Sequence, residues 1–178
     1  MSHIPEESIQ AEFSFDGAHR LFKYPGQCSH IHGHTYRVLV EIKPDATYGK
    51  LPQRDDAFLM DFGTLKKLVM PLIDDWDHKL LLQATDPICY AFDGNAKAEL
   101  GIHELIFVPS AENMARYLAQ NIASNYMHAT PESFNLGWDY LISAASRKIP
   151  VGVTVTIYET PKNSATCQAF SHGERTLT

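Results

Sequence analysis

The chain has 178 residues, 44% hydrophobic and 20% charged, which is the usage of a folded domain and excludes a disordered chain. Fifteen Lys and Arg against twenty-one Asp and Glu give a net charge of −6, which argues against broad nucleic-acid binding, because that needs a basic surface. Three scattered Cys fit a reducing compartment rather than a disulfide scaffold, the N-terminus has no apolar signal core, and no apolar run approaches the ~18 residues of a membrane span. The expectation is a cytoplasmic protein of one domain, residues 1–178, acting on a small molecule with neither nucleic acid nor membrane as partner.

Residues 9–15 alternate apolar Ile9, Ala11, Phe13 and Phe15 with polar neighbours, which predicts a half-buried strand, and Gly17 then allows a turn or bulge. From position 32 the even residues His32, His34, Tyr36, Val38, Val40 and Ile42 form one stripe, a second strand with two imidazoles at one end of its core face. Residues 44–56 read as a polar loop and 57–62 as a short strand. Phe62, Leu65, Leu68, Val69, Leu72, Ile73 and Trp76 then share a helical face, with Pro71 kinking the helix or limiting its length. Asp61 and Ser110 are predicted N-caps, the second opening a helix to about residue 125. Strands follow at 151–157 and 165–170. Residues 84–104 read as irregular, and 127–149 as a connection with a short helix around Trp138–Ser146. Strands segregated from helices predict α+β architecture, with a mainly antiparallel sheet and helices on one face.

Histidine carries the chemistry. His32 and His34 project to the same side of a strand, a spacing that suits two ligands of one Zn2+, and Gly33 between them permits close backbone approach. His19 offers a third nitrogen from the neighbouring strand. Three protein ligands would leave the open fourth position of a catalytic zinc. Cys28 has three readings: a fourth ligand that closes the site, an inert buried thiol, or a reactive thiol with a lowered pKa beside the cation. Asp77 can orient the imidazole of His78 as a proton relay, or His78 can simply face a helix dipole. Glu159 ends the apolar stripe Val151, Val153, Val155, Ile157, so it either reaches solvent or faces a cavity and accepts N–H groups of a guanine-like heterocycle. Glu112 is assigned to its helix dipole, and Cys89 and Cys167 to packing. No GxGxxG is present, and no nicotinamide or flavin is suggested.

Six blocks occur in order: FDGAHRL at 15–21, CSHIHGHTY at 28–36, MDFGTLK at 60–66, WDHKLL at 76–81, PSAEN at 109–113 and IYETP at 157–161. None is specific alone. In this order they resemble the family of 6-pyruvoyltetrahydropterin and 6-carboxytetrahydropterin synthases. The resemblance implies a tunnelling fold, in which a four-stranded antiparallel sheet carries two helices on one face. Subunits of that fold join into a trimeric β-barrel, and two trimers stack as a homohexamer. It also implies zinc on His19, His32 and His34, catalytic roles for Cys28, Asp77 and His78, and Glu159 as the pterin anchor. The C-x3-H-G-H spacing resembles the 6-carboxytetrahydropterin synthases of queuosine biosynthesis more than the 6-pyruvoyl enzymes. The implied activity is a zinc-dependent lyase acting on 7,8-dihydroneopterin triphosphate. The alternatives are 6-pyruvoyltetrahydropterin synthesis and a non-catalytic zinc- or pterin-binding homologue. The triphosphate needs cations, expected from residues such as Arg20 and Lys23 or from a neighbouring subunit. Insertions near 84–104 and 127–149, and Ser110 where the family usually has Thr, depart from the compact pattern.

Overall fold

A computed structural model describes residues 7–45, 59–129 and 150–171. Most of the predicted 44–56 loop, the start of the 57–62 segment and the helix around Trp138–Ser146 lie outside the described residues.

Period-two patterning yields β1 (Ile9–His19), β2 (His32–Pro44), β5 (Val151–Thr160) and β6 (Asn163–Phe170). Between them lie α1 (Phe62–Asp74), β3 (Lys79–Gln83), α2 (Pro87–Ala91), α3 (Gly94–Glu99), β4 (Ile102–Leu105) and α4 (Ala111–His128). The strands form one sheet in the order β4-β3-β1-β2-β5-β6. The pairs β1–β2, β2–β5 and β5–β6 are antiparallel, whereas β3 runs parallel to β1 and β4 parallel to β3.

This corrects the expectation of a four-stranded antiparallel sheet with two helices. The four antiparallel strands are present, but residues 79–105 add two parallel strands and two short helices. The segment read as irregular is therefore ordered. Its helices are short but capped: the Asp86 carboxylate accepts the Ile88 amide and the Asp93 carboxylate accepts that of Ala96.

One face of the sheet buries Phe15, Tyr36, Val38, Val40, Ile42, Val153, Val155 and Ile157. Leu65, Leu68, Val69 and Ile73 of α1 and Met114, Leu118 and Ile122 of α4 complete the same core. Trp76, just past α1, bridges the layers, with ring centroids 5.8 Å from Phe15 and 5.4 Å from Tyr117. Both predicted caps form: the Asp61 carboxylate accepts the Thr64 amide and the Ser110 hydroxyl that of Asn113. Pro71 lies inside α1, which ends three residues later at Asp74. Phe62 departs from the expected face and is 61% exposed, because it opens the helix before the buried side begins. The opposite face of the sheet is polar, and there Arg37 pairs with Glu12 at 3.1 Å and lies 3.9 Å above the Tyr158 ring.

Gly17 does not break β1. It pairs with His34 on one side and Lys79 on the other. A Cβ at this position would sit 3.2 Å from the Phe15 ring and 3.6 Å from that of Tyr36. Glycine is needed there for lack of space, not for a turn, and β1 consequently runs on to deliver His19. Gly33 has a similar reason: its Cβ would lie 3.1 Å from the Gly17 carbonyl oxygen. No helix among the described residues is long and apolar enough to cross a membrane.

Candidate metal centre and active site

His19 and His32 are register partners across β1 and β2, and His34 follows two residues along β2 on the same face. Their ring centroids are 4.5 Å (His19–His32), 5.4 Å (His19–His34) and 5.0 Å (His32–His34) apart. One ring nitrogen from each lies within 4.8 Å of the others. The three rings therefore converge as the HxH spacing predicts.

Two rings have their tautomer set by backbone. His19 Nδ1 donates to the Pro109 carbonyl at 2.6 Å, and His32 Nδ1 donates to the His30 carbonyl at 2.8 Å. Each then presents Nε2 as a lone-pair donor, the usual outer-shell arrangement of a metal-binding imidazole. Burial lowers the His19 pKa to about 4, so the ring is neutral at physiological pH. His19 Nε2 is buried with no hydrogen-bond partner. Such an atom is costly unless something satisfies it. A divalent cation held by the three imidazoles would do so, and the donor set suits zinc among other borderline metals.

A cavity opens beside this cluster, lined by His19, Cys28, Ser110, Glu112, Glu159 and Asn163, among others. Cys28 reaches it from a one-turn 3₁₀ helix, Gln27–Ser29, which is tied to the end of β1 by the Leu21 amide donating to the Cys28 carbonyl at 2.7 Å. Its sulfur is not part of the three-nitrogen group within 4.8 Å. Glu159 faces this cavity rather than bulk solvent, with Oε1 3.8 Å from His19 Nε2. The register shifts between Tyr158 and Thr160, so Glu159 sits at an irregularity in the β5–β6 ladder, a device that re-aims side chains near active sites.

Ser110 and Glu112, expected only to cap and to complement the helix dipole, both line the cavity. The PSAEN block at the start of a predicted helix was the available signal. His30 serves through its backbone carbonyl. Arg20 is not free for a triphosphate: it makes a bidentate pair with the buried Asp86, Nε donating to Oδ2 at 2.7 Å and Nη2 to Oδ1 at 2.5 Å. Cys89 is buried and Cys167 packs against the core, as expected of packing residues.

Asp77 and His78 do form a pair, with His78 Nδ1 2.8 Å from Asp77 Oδ2. The Asp77 carboxylate accepts the Asp16 amide, and this bond and then the one to His78 lower its pKa. His78 adopts φ +57° and donates its own amide to the Asp16 carbonyl. The pair clusters with the exposed Asp16 side chain, which points opposite to Phe15, Gly17 and His19. Within one chain the dyad and the three histidines thus lie on different faces of the sheet.

The molecule is thus a mixed-sheet α+β protein in which three convergent imidazoles lie beside a thiol and a carboxylate. The family model described as 6-pyruvoyl tetrahydropterin synthase matches residues 8–169. A Halobacterium salinarum protein named a probable 6-carboxy-5,6,7,8-tetrahydropterin synthase is 32% identical over 151 residues, covering 83% of this chain and 77% of its own. The 6-carboxy-5,6,7,8-tetrahydropterin synthase of Synechocystis is 30% identical over 125 residues, covering 65% of this chain and 95% of its own. The solved 6-pyruvoyl tetrahydropterin synthase of Plasmodium falciparum shares the fold, with a TM-score of 0.61 at 20% identity over 93% of this chain and 98% of that one. The chain belongs to the 6-pyruvoyl tetrahydropterin synthase family.

Proposed function

We propose that the protein is a zinc-dependent lyase. It converts 7,8-dihydroneopterin triphosphate and water to 6-carboxy-5,6,7,8-tetrahydropterin, acetaldehyde and triphosphate. The observation that carries this reading is the thiol of Cys28, which lines the same cavity as His19, one of three convergent imidazoles, without joining their nitrogen group. The curated relatives named for the 6-carboxy product support the choice of reaction.

His19, His32 and His34 would hold the zinc, which would supply Lewis-acid chemistry toward side-chain oxygens of the substrate. Glu159 accepts the ring N–H and exocyclic amino group of the pterin, fixing which carbon faces the thiol. Cys28, as thiolate, removes a proton from the side-chain carbon next to the ring. His78, oriented by Asp77, returns or relays protons. Since the dyad and the histidines lie on different faces of one chain, the dyad serves the site of a neighbouring copy. The oligomer is a trimer or dimer of trimers of single-domain subunits, working in the cytoplasm.

The product identifies the reaction. Zinc-loaded protein incubated with 7,8-dihydroneopterin triphosphate is expected to release acetaldehyde and triphosphate in equal amounts, read by mass spectrometry and phosphate analysis. Triphosphate without acetaldehyde would assign 6-pyruvoyltetrahydropterin synthesis, the activity in the family's description. Binding with release of neither would make the chain a non-catalytic homologue.

A further inference from the structure

The polar face of the sheet carries a third charged group beside the Asp77–His78 dyad. One carboxylate oxygen of Asp16, one of Asp77 and one ring nitrogen of His78 all lie within 4.8 Å of one another. Asp16 also ties the dyad to β1. Its amide donates to Asp77 Oδ1 at 2.9 Å, and its carbonyl accepts the His78 amide at 2.7 Å. Those two bonds use backbone alone, so they do not explain why the side chain is a carboxylate.

The side chain is held in place. Asp16 Oδ1 accepts the hydroxyl of Thr35, its register partner on β2, at 2.5 Å. Both residues are exposed, so this bond contributes little to the fold. Two carboxylates as close as those of Asp16 and Asp77 repel each other, a cost that an uncharged residue at position 16 would avoid. What both anions have beside them is one imidazole. Asp77 Oδ2 meets His78 Nδ1 at 2.8 Å, and the His78 side chain is 77% exposed, so it is able to reach a group outside its own chain. An imidazole that takes a proton becomes a cation, and a second carboxylate within 4.8 Å favours that step by Coulomb attraction.

We propose that Asp16 is a positioning residue of the dyad: its carboxylate, aimed by the Thr35 hydroxyl, stabilises the charge that His78 carries while it relays a proton. This rests on the relay role given to His78 above and adds two residues to it. Strand β2 then serves both faces of the sheet. His34 turns to the three-histidine cluster, and Thr35, the next residue, turns the other way to orient the relay.

Asp16→Asn removes the charge and keeps both the backbone bonds and an oxygen for Thr35. Zinc-loaded protein in excess over 7,8-dihydroneopterin triphosphate gives a single turnover, which reads chemistry rather than product release. Asp16→Asn is expected to slow that turnover about fivefold, the size of one close charge pair in water. Zinc content, melting temperature and substrate affinity are expected to stay native. Thr35→Val is expected to slow the turnover about twofold, and Thr35→Ser, which restores the hydroxyl, to run at the native rate. A native rate in Asp16→Asn or in Thr35→Val would overturn the proposal and leave the relay in place. So would a slower rate accompanied by weaker substrate binding or lost zinc, which would give Asp16 a binding or purely structural role. His78→Gln, measured beside them, is expected to lose at least about 10²-fold. A native rate in that variant would overturn the relay reading and this inference together.

Discussion

Cys28→Ala is expected to keep one zinc per chain while kcat falls by at least about 10²-fold, the lower end of what a positioned general base contributes. The geometry argues for this separation of metal binding from turnover. Three nitrogens lie within 4.8 Å of one another without the sulfur. Cys28 stands on its own short turn, tethered to β1 by one backbone hydrogen bond rather than by the histidines. Metal analysis and steady-state kinetics on one preparation decide the matter. Loss of zinc in the variant would make Cys28 a ligand, and the base assignment would fall.

His34→Ala should behave differently, losing metal and turnover together. Its ring is one of three that complete the site, and two imidazoles from adjacent strands leave a cation with half of a tetrahedral shell. The fold should survive. His34 is only partly buried, and the eleven-residue β1–β2 ladder from Ile9↔Ile42 to His19↔His32 does not depend on its side chain. Zinc content near zero with native secondary structure, and activity at background, is the expected result. A variant that keeps stoichiometric zinc and native kcat would remove the imidazole triad from the account.

The contrast between these variants shows which parts of the site local sequence encodes. The period-two stripe through His32 and His34 was readable because a strand puts residues i and i+2 on one side whatever the rest of the chain does. His19 was expected at the end of the neighbouring strand, and its position depends on β1 running through Gly17, where sequence alone allows a turn or bulge. The continuation comes from tertiary crowding by the Phe15 and Tyr36 rings. Glu159 had two open readings because its direction is set by the β5–β6 irregularity, a property of a pair of strands and not of either segment. Residues 80–82, three successive leucines in β3, carry no periodicity that separates strand from helix. The parallel pairing of that strand places Asp77 and His78 against Asp16, on the face away from the three histidines. Only the caps of the 84–104 segment were local signals: Asp86 before Pro87, and Asp93 before Gly94.

X-ray absorption at the zinc edge of the metal-loaded native protein tests the centre most directly. The account predicts a first shell of nitrogen and oxygen scatterers alone at about 2.0–2.1 Å, three of them imidazoles. A sulfur scatterer at about 2.3 Å would place Cys28 on the metal, close the fourth position and contradict the proposed chemistry.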